Sequence, residues 1–301
     1  RAGTMINLKI VKIPIILEIG DIVHRHMIEG DPFILNRYPS LHEHSMMCFS
    51  GKISPISETI SINLLITPPF NADFDGDEMN VFIPQSLQTA IELEEIADVT
   101  KQIITPAESI PIIGIIQDGL LGSYNLTDPA LKIDWKDAMN IISYTTVDNF
   151  EDFKKKDLDG KTLFSTIIPP RINTKRYKSK DEISLQIQKG QMLEGRLGKQ
   201  FLGPKKKNSL IHLIWDEYSP EMTREFIDNT QRLINNFNMY NGFSVGFGDI
   251  DVPKNVQIEL SNLFKTKKSE VSHWITETEN NPDMLDPGLL EQTIYGELNN
   301  V

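Results

Sequence analysis

The chain has 301 residues, 40 % of them hydrophobic, which suits one large or two moderate folded domains and excludes a disordered polypeptide. Its net charge of −12 argues against a stand-alone nucleic-acid-binding module, which is usually basic, but not against a subunit whose acidic site holds metal ions beside basic partner chains. Cys48 is the sole cysteine, so an intrachain disulfide and a thiolate-rich zinc site are both excluded, in keeping with a reducing compartment. No apolar run has the length of a membrane span and nothing resembles a signal peptide, so neither membrane insertion nor secretion is expected. The first residue is Arg1 rather than Met, as expected of a chain that begins inside a longer polypeptide.

In chain order, residues 1–105 are rich in short strand-like runs. Near-alternation predicts strands at Ile6–Val11 and Ile60–Ile66, and the apolar patch Ile13–Leu17, too short for a membrane span, also reads as a strand, with turns at Asp31-Pro32 and Pro68-Pro69. The stretch from Gln85 to Val99 has helical composition, with Ser86 as its N-cap and Leu87, Ala90, Ile91 and Leu93 on its apolar face. Residues 106–250 form a second, mixed region. It contains a helical turn bounded by glycines at Gly114–Gly122 and a polar, Lys-rich exposed hairpin or loop at 172–189. It ends in a helix from Pro220 to Tyr240, with Phe226, Leu233, Ile234 and Phe237 at helical spacing. Residues 251–301 are polar, with helical pieces and no clear core of their own.

The motif that carries chemistry is Asn71-Ala72-Asp73-Phe74-Asp75-Gly76-Asp77-Glu78-Met79-Asn80. In an extended or looped backbone, positions i, i+2 and i+4 point the same way, and glycine allows a sharp turn at position 76. Asp73, Asp75 and Asp77 can then converge. Three carboxylates so close repel one another or take up protons unless a cation joins them. All-oxygen ligation at this spacing suits Mg2+. A calcium EF-hand does not fit, because Glu78 and Pro84 stand where that loop, counted from Asp73, needs glycine and glutamate. A solvated acidic turn is the competing reading. His42 and His44 flank Glu43 without an evident third ligand and are read as structural, as are His24 and His26. Lys205-Lys206-Lys207 is read as a solvated loop.

The unbroken Asn-Ala-Asp-Phe-Asp-Gly-Asp run resembles the signature of the largest subunit of multisubunit DNA-dependent RNA polymerases. Glu78-Met79-Asn80 and Pro84-Gln85-Ser86 are similar to the eukaryotic, archaeal and large-DNA-virus branch. Gly30–His42 resembles the segment that precedes the aspartates in that family. Gly114–Asp118, Gly160-Lys161-Thr162-Leu163 and Asn241–Asp249 match further landmarks in the same order, so the resemblance covers residues 20–250. It implies an α+β fold: a double-psi β-barrel catalytic core within residues 1–105, incomplete on its N-terminal side, a mixed α/β pore region at 106–250, and the start of a helical funnel region at 251–301.

The resemblance also implies the site. Asp73, Asp75 and Asp77 would hold a catalytic Mg2+, and a second Mg2+ would arrive with the nucleotide, as in two-metal nucleotidyl transfer to an RNA 3′ end. Arg37 and Asn71 match positions near the sugar of the incoming nucleotide, and Pro39 shapes the floor beneath it. Gln231-Arg232 and Gly242–Asp249 resemble the wall of the pore that admits nucleotides; a helix followed by a tight turn in a packed core is the alternative. The implied partners are the second-largest and smaller polymerase subunits, DNA template, RNA transcript and nucleoside triphosphates.

Family members are much longer, with a clamp before the matched region and a bridge helix and trigger loop after it, so the chain alone is expected not to polymerise RNA. A silencing-type RNA-dependent RNA polymerase and a non-catalytic assembly module with a vestigial acidic loop remain alternatives. The Ile- and Asn-rich composition leans towards a large DNA virus. That would place the chain in a cytoplasmic viral factory or virion rather than in the nucleus.

Overall fold

The computed structural model describes residues 5–12, 14–55, 58–147, 157–177, 183–280, 291–292 and 294–296. Two units divide the chain, Arg1–Asn241 and Gly242–Val301.

In the first unit, three short runs rich in apolar residues, β1 (Pro32–Asn36), β2 (Met46–Ser50) and β3 (Asn80–Phe82), form an antiparallel sheet in the order β2–β1–β3. Leu35 lies opposite Met47 on one side and Val81 on the other. Leu35 and Met47 are both buried, and such cross-strand pairs are what fix the register. Asn36 pairs with Asn80, so the end of β1 lies beside the start of β3. That pairing places residue 37 next to the loop that leads into β3.

The chain reaches this loop through a capped turn. The Asn63 side chain accepts the Leu65 N–H at 3.0 Å and opens a 3-10 turn at Leu64–Ile66, followed by the short helix α1 (Thr67–Phe70). Pro68 and Pro69 sit in its first turn, where a missing N–H costs nothing. Asn71 closes it in the left-handed region at φ 48°, a conformation asparagine tolerates better than most residues.

The remainder of the unit runs through α2 (Leu87–Glu92), the two-stranded sheet β4 (Ile104–Thr105) and β5 (Ile110–Pro111), and α3 (Gln117–Leu126). Next come β6 (Lys132–Ile133), α4 (Trp135–Ile142), β7 (Leu158–Asp159), which pairs with β6, and α5 (Gly160–Ser165). A second antiparallel sheet, ordered β10–β9–β8, comprises β8 (Thr174–Tyr177), β9 (Ile183–Gln188) and β10 (Gln191–Gly195). The unit closes with α6 (Lys199–Leu202), α7 (Leu210–Glu217) and α8 (Pro220–Tyr240). One apolar cluster joins these elements, from Leu35 and Phe70 to Phe164, Ile214 and Phe237. At its centre the Phe164 and Phe226 rings meet edge to face, 6.3 Å apart. The second unit holds a 3-10 turn at Phe247–Asp249 and the long helix α9 (Lys254–Asn280). No described residue of that unit is buried.

The described residues thus form a mixed α and β protein with small antiparallel sheets, as the α+β expectation has it. The α8 helix matches its predicted bounds, and Phe226, Leu233, Ile234 and Phe237 are all buried. Other expectations are corrected. Ile6–Val11 and Ile60–Ile66 are not strands, nor are residues 14–17 of the third predicted run, whose Ile13 lies outside the described residues. Residues 64–66 form a helical turn instead, and Ile6, Leu8, Ile10, Ile16 and Leu17 are exposed. Alternation alone forms no strand when no neighbouring strand supplies the hydrogen bonds.

Ser86 caps α2 as expected, accepting the Thr89 N–H at 3.2 Å. The predicted apolar face, however, leaves Leu87 and Ile91 exposed and buries Leu93, which at about 100° per residue lies on the opposite side of the helix from Ile91. Of the glycine-bounded turn predicted at 114–122, residues 117–122 open the helix α3, and residues 114–116 precede it outside the helix. The predicted exposed hairpin at 172–189 is a hairpin, but Leu185 and Ile187 on β9 are buried. Its residues 178–182 lie outside the described residues.

Candidate metal centre

The three aspartates sit on the loop between α1 and β3. Gly76 turns the chain with φ 123°, a conformation that L side chains rarely adopt. One carboxylate oxygen from each of Asp73, Asp75 and Asp77 lies within 4.8 Å of the other two. Asp73 and Asp75 are exposed and Asp77 is half-buried, so the cluster has one face towards solvent and one anchored in the protein.

The anchor is Arg37, the residue after β1. Its Nε donates to Asp77 Oδ2 at 2.8 Å and its Nη2 to Oδ1 at 3.1 Å, a forked grip on the carboxylate. The Asp73 backbone N–H also donates to Asp77 Oδ2, at 3.0 Å, which folds the loop back on itself. The guanidinium, helped by that N–H, holds the Asp77 carboxyl below the ordinary carboxylate range. Asp75 is driven the other way. A hydrogen bond with the Asp73 carboxyl, and then the charge on Asp73, push it up. Two carboxylates facing each other at this range either share a proton or bind a cation.

The donor set fits a hard divalent ion. It offers oxygen alone, from three separate side chains on a hinged loop with an open face. An octahedral Mg2+ holds its ligands at about 2.0–2.1 Å, so its opposite oxygens stand about 4.2 Å apart. The three oxygens, within 4.8 Å of one another, span a distance comparable with that. Among the described residues, no other group of three His, Cys, Asp or Glu side chains comes together in this way.

The other predicted site residues fall as follows. Asn71 is exposed, two residues before Asp73, in its left-handed cap position. Pro39 is exposed on the turn after Arg37, following a cis Tyr38–Pro39 bond. His44 is buried, its Nε2 has no hydrogen-bond partner among the described residues, and burial pushes its pKa down. The His42 and His44 rings lie tilted at 51° with centres 5.9 Å apart, and they gather no third ligand among the described residues. Lys205, Lys206 and Lys207 are exposed, as expected of a solvated loop. Residues 242–249 are also exposed.

A cavity of about 770 Å³ lined by Phe33, Leu35, Phe49, Ile62 and Ile227 includes none of the three aspartates, and its apolar walls do not suit a metal. What the sequence reading missed is the partner of Asp77. The signal lay in the register of β1 against β3, which no local pattern reveals.

Two family models match the chain: RNA polymerase Rpb1, domain 2, over residues 2–99, and RNA polymerase Rpb1, domain 3, over residues 102–250. Among curated proteins, the chain is 39 % identical over 304 residues to DNA-directed RNA polymerase subunit 1 of Acanthamoeba polyphaga mimivirus, a match that takes in 100 % of the chain and 20 % of that protein. It is 36 % identical over 286 residues to DNA-directed RNA polymerase II subunits RPB1-A and RPB1-B of Trypanosoma brucei brucei, across 89 % of the chain and 16 % of each relative. The chain therefore spans about a fifth or less of the length of these relatives.

Proposed function

Since the chain belongs to the family of the largest subunit of DNA-directed RNA polymerases, we propose that it is the catalytic-centre segment of such an enzyme, with Asp73, Asp75 and Asp77 as ligands of a catalytic Mg2+. The observation that carries this reading is the convergence of the three carboxylates, within 4.8 Å, on a loop whose sequence bears the family signature. When bound, an ion there supplies Lewis-acid activation of the RNA 3′ hydroxyl, while a second ion, carried by the nucleotide, neutralises its phosphates.

The residues of this chain do the positioning. Asp77 is held by Arg37 and by the Asp73 N–H, so one ligand is fixed before any ion arrives. Asp73 and Asp75 stay on the exposed side, where they can close onto the ion. Arg37 uses two of its five N–H donors on Asp77, which leaves the rest for a ribose hydroxyl. Asn71, with its exposed amide, and Pro39, on the turn beneath, complete the nucleotide side. We place the double-psi barrel within residues 1–105, the pore region at 106–250 and the start of the funnel region at 251–301. The second-largest subunit, smaller subunits, template DNA, transcript and nucleoside triphosphates are the partners this reading requires, at a nuclear or a viral cytoplasmic location. No described helix is long and apolar enough to cross a membrane.

Nothing in the comparisons favours a silencing-type RNA-dependent polymerase; the relatives named are DNA-directed. In the complete polymerase, Asp75→Asn is expected to lower RNA synthesis by more than about a hundredfold, since even groups behind a metal ligand are worth 10–100-fold. Full activity in the assembled variant would refute the assignment.

A further inference from the structure

Asp77 is the most heavily engaged carboxylate of the three. Arg37 takes both of its oxygens, at 2.8 and 3.1 Å, and the Asp73 N–H takes Oδ2 again at 3.0 Å. A carboxylate has about four lone-pair positions, so most of what Asp77 can offer is already in use. Arg37 cannot resolve the conflict by losing its proton, because a guanidinium stays charged. Nor can its backbone withdraw: its N–H donates to Ser45 O at 3.2 Å, and the neighbouring Asn36 is paired with Asn80. The Arg37 and Asp77 side chains are 20 % and 21 % exposed, so solvent screens the pair incompletely.

We propose that Arg37 is a built-in counter-ion of the metal centre, a positioning residue that contends with the divalent ion for Asp77 and so keeps that ion weakly held. This rests on the metal-centre reading above. The guanidinium does two things at once. It fixes the Asp77 carboxylate in the loop, and it sets a positive charge one carboxylate away from the ion. The first effect favours the ion by pre-ordering a ligand; the second opposes it through repulsion between a single and a double positive charge. With both side chains only about a fifth exposed, solvent screens that repulsion incompletely, and the repulsion sets the net sign. A role in structure alone gives the opposite sign, since loss of the fork would free Asp77 and loosen the ion.

The test uses the complete polymerase without nucleotide or nucleic acid, with Mn2+ as the probe and free Mn2+ read by electron paramagnetic resonance. Binding that persists in Asp75→Asn is subtracted as belonging to other sites. Arg37→Gln is expected to tighten the Asp75-dependent site by about tenfold, equivalent to about 1.4 kcal/mol. Arg37→Lys, which keeps the charge and loses the fork, is expected to bind no tighter than the wild type. Should Arg37→Gln fail to assemble, Arg37→Met removes the charge while filling the same stem and is read the same way. Equal or weaker Mn2+ binding in the uncharged variants overturns the counter-ion role. If the wild type itself shows no Asp75-dependent Mn2+ binding, the metal-centre reading fails first and this one with it.

Discussion

Asp31 accepts both arms of the Arg25 fork, at 2.6 and 2.9 Å, and the Ile28 N–H at 2.9 Å, and these donors hold its carboxyl down at about 2. A carboxylate held below its ordinary value of 3.8 favours the folded arrangement above that pH. The contribution fades as pH falls from 3.8 towards 2. The Asp31 resonance in an NMR titration should therefore have its midpoint near 2, and Arg25→Gln should raise it. A midpoint at 3.8 in the wild type would mean that the fork is not formed in solution. At the same scale, the convergence of Asp73, Asp75 and Asp77 is readable from their spacing, because alternate residues and a glycine hinge are local properties. Arg37 on Asp77 is not readable in that way. The two are 40 residues apart, and only strand pairing brings them together.

Among the elements, α8 and its neighbours carry the core. Phe226 is 1 % exposed and packs edge-on against Phe164, so Phe226→Ala should cost about 3–5 kcal/mol. Gly160, at the start of α5, faces the Leu126 carbonyl so closely that a Cβ there would collide with backbone. Gly160→Ala should cost about 1–3 kcal/mol by overpacking. Denaturant melts of the two variants check both figures, and a change below about 0.5 kcal/mol in either would contradict the packing described.

The α8 helix was legible because its apolar residues recur at helical spacing within one stretch. The runs at 6–11, 14–17 and 60–66 misled, because an apolar or alternating run reports a side chain's preference for a strand and says nothing of whether a partner strand is present. The exposed Leu87 and Ile91 misled for a related reason. Helical composition says that a segment can form a helix, not which of its sides meets the core.

At the scale of the whole molecule, a chain of net charge −12 carries an acidic loop whose Asp77 alone has an internal cation. The chain covers 20 % of its mimivirus relative and 16 % of its trypanosome relatives, so this charge is that of a fraction of such a protein's length. Composition excluded a simple basic nucleic-acid module, and the motif pointed to the metal; both follow from charge, which is written in the sequence. The barrel expected around the loop depends on pairings with further strands, and the three-stranded sheet β2–β1–β3 carries that expectation only as far as its own register.

The most direct test of the metal centre replaces Mg2+ by Fe2+ in the complete polymerase and maps the hydroxyl-radical cuts in this subunit. Cuts should cluster at residues 71–80 and around Arg37, and vanish with excess Mg2+ or in Asp75→Asn. A cutting pattern that spares this loop, or that survives unchanged in Asp75→Asn, would place the ion elsewhere and contradict the assignment of Asp73, Asp75 and Asp77.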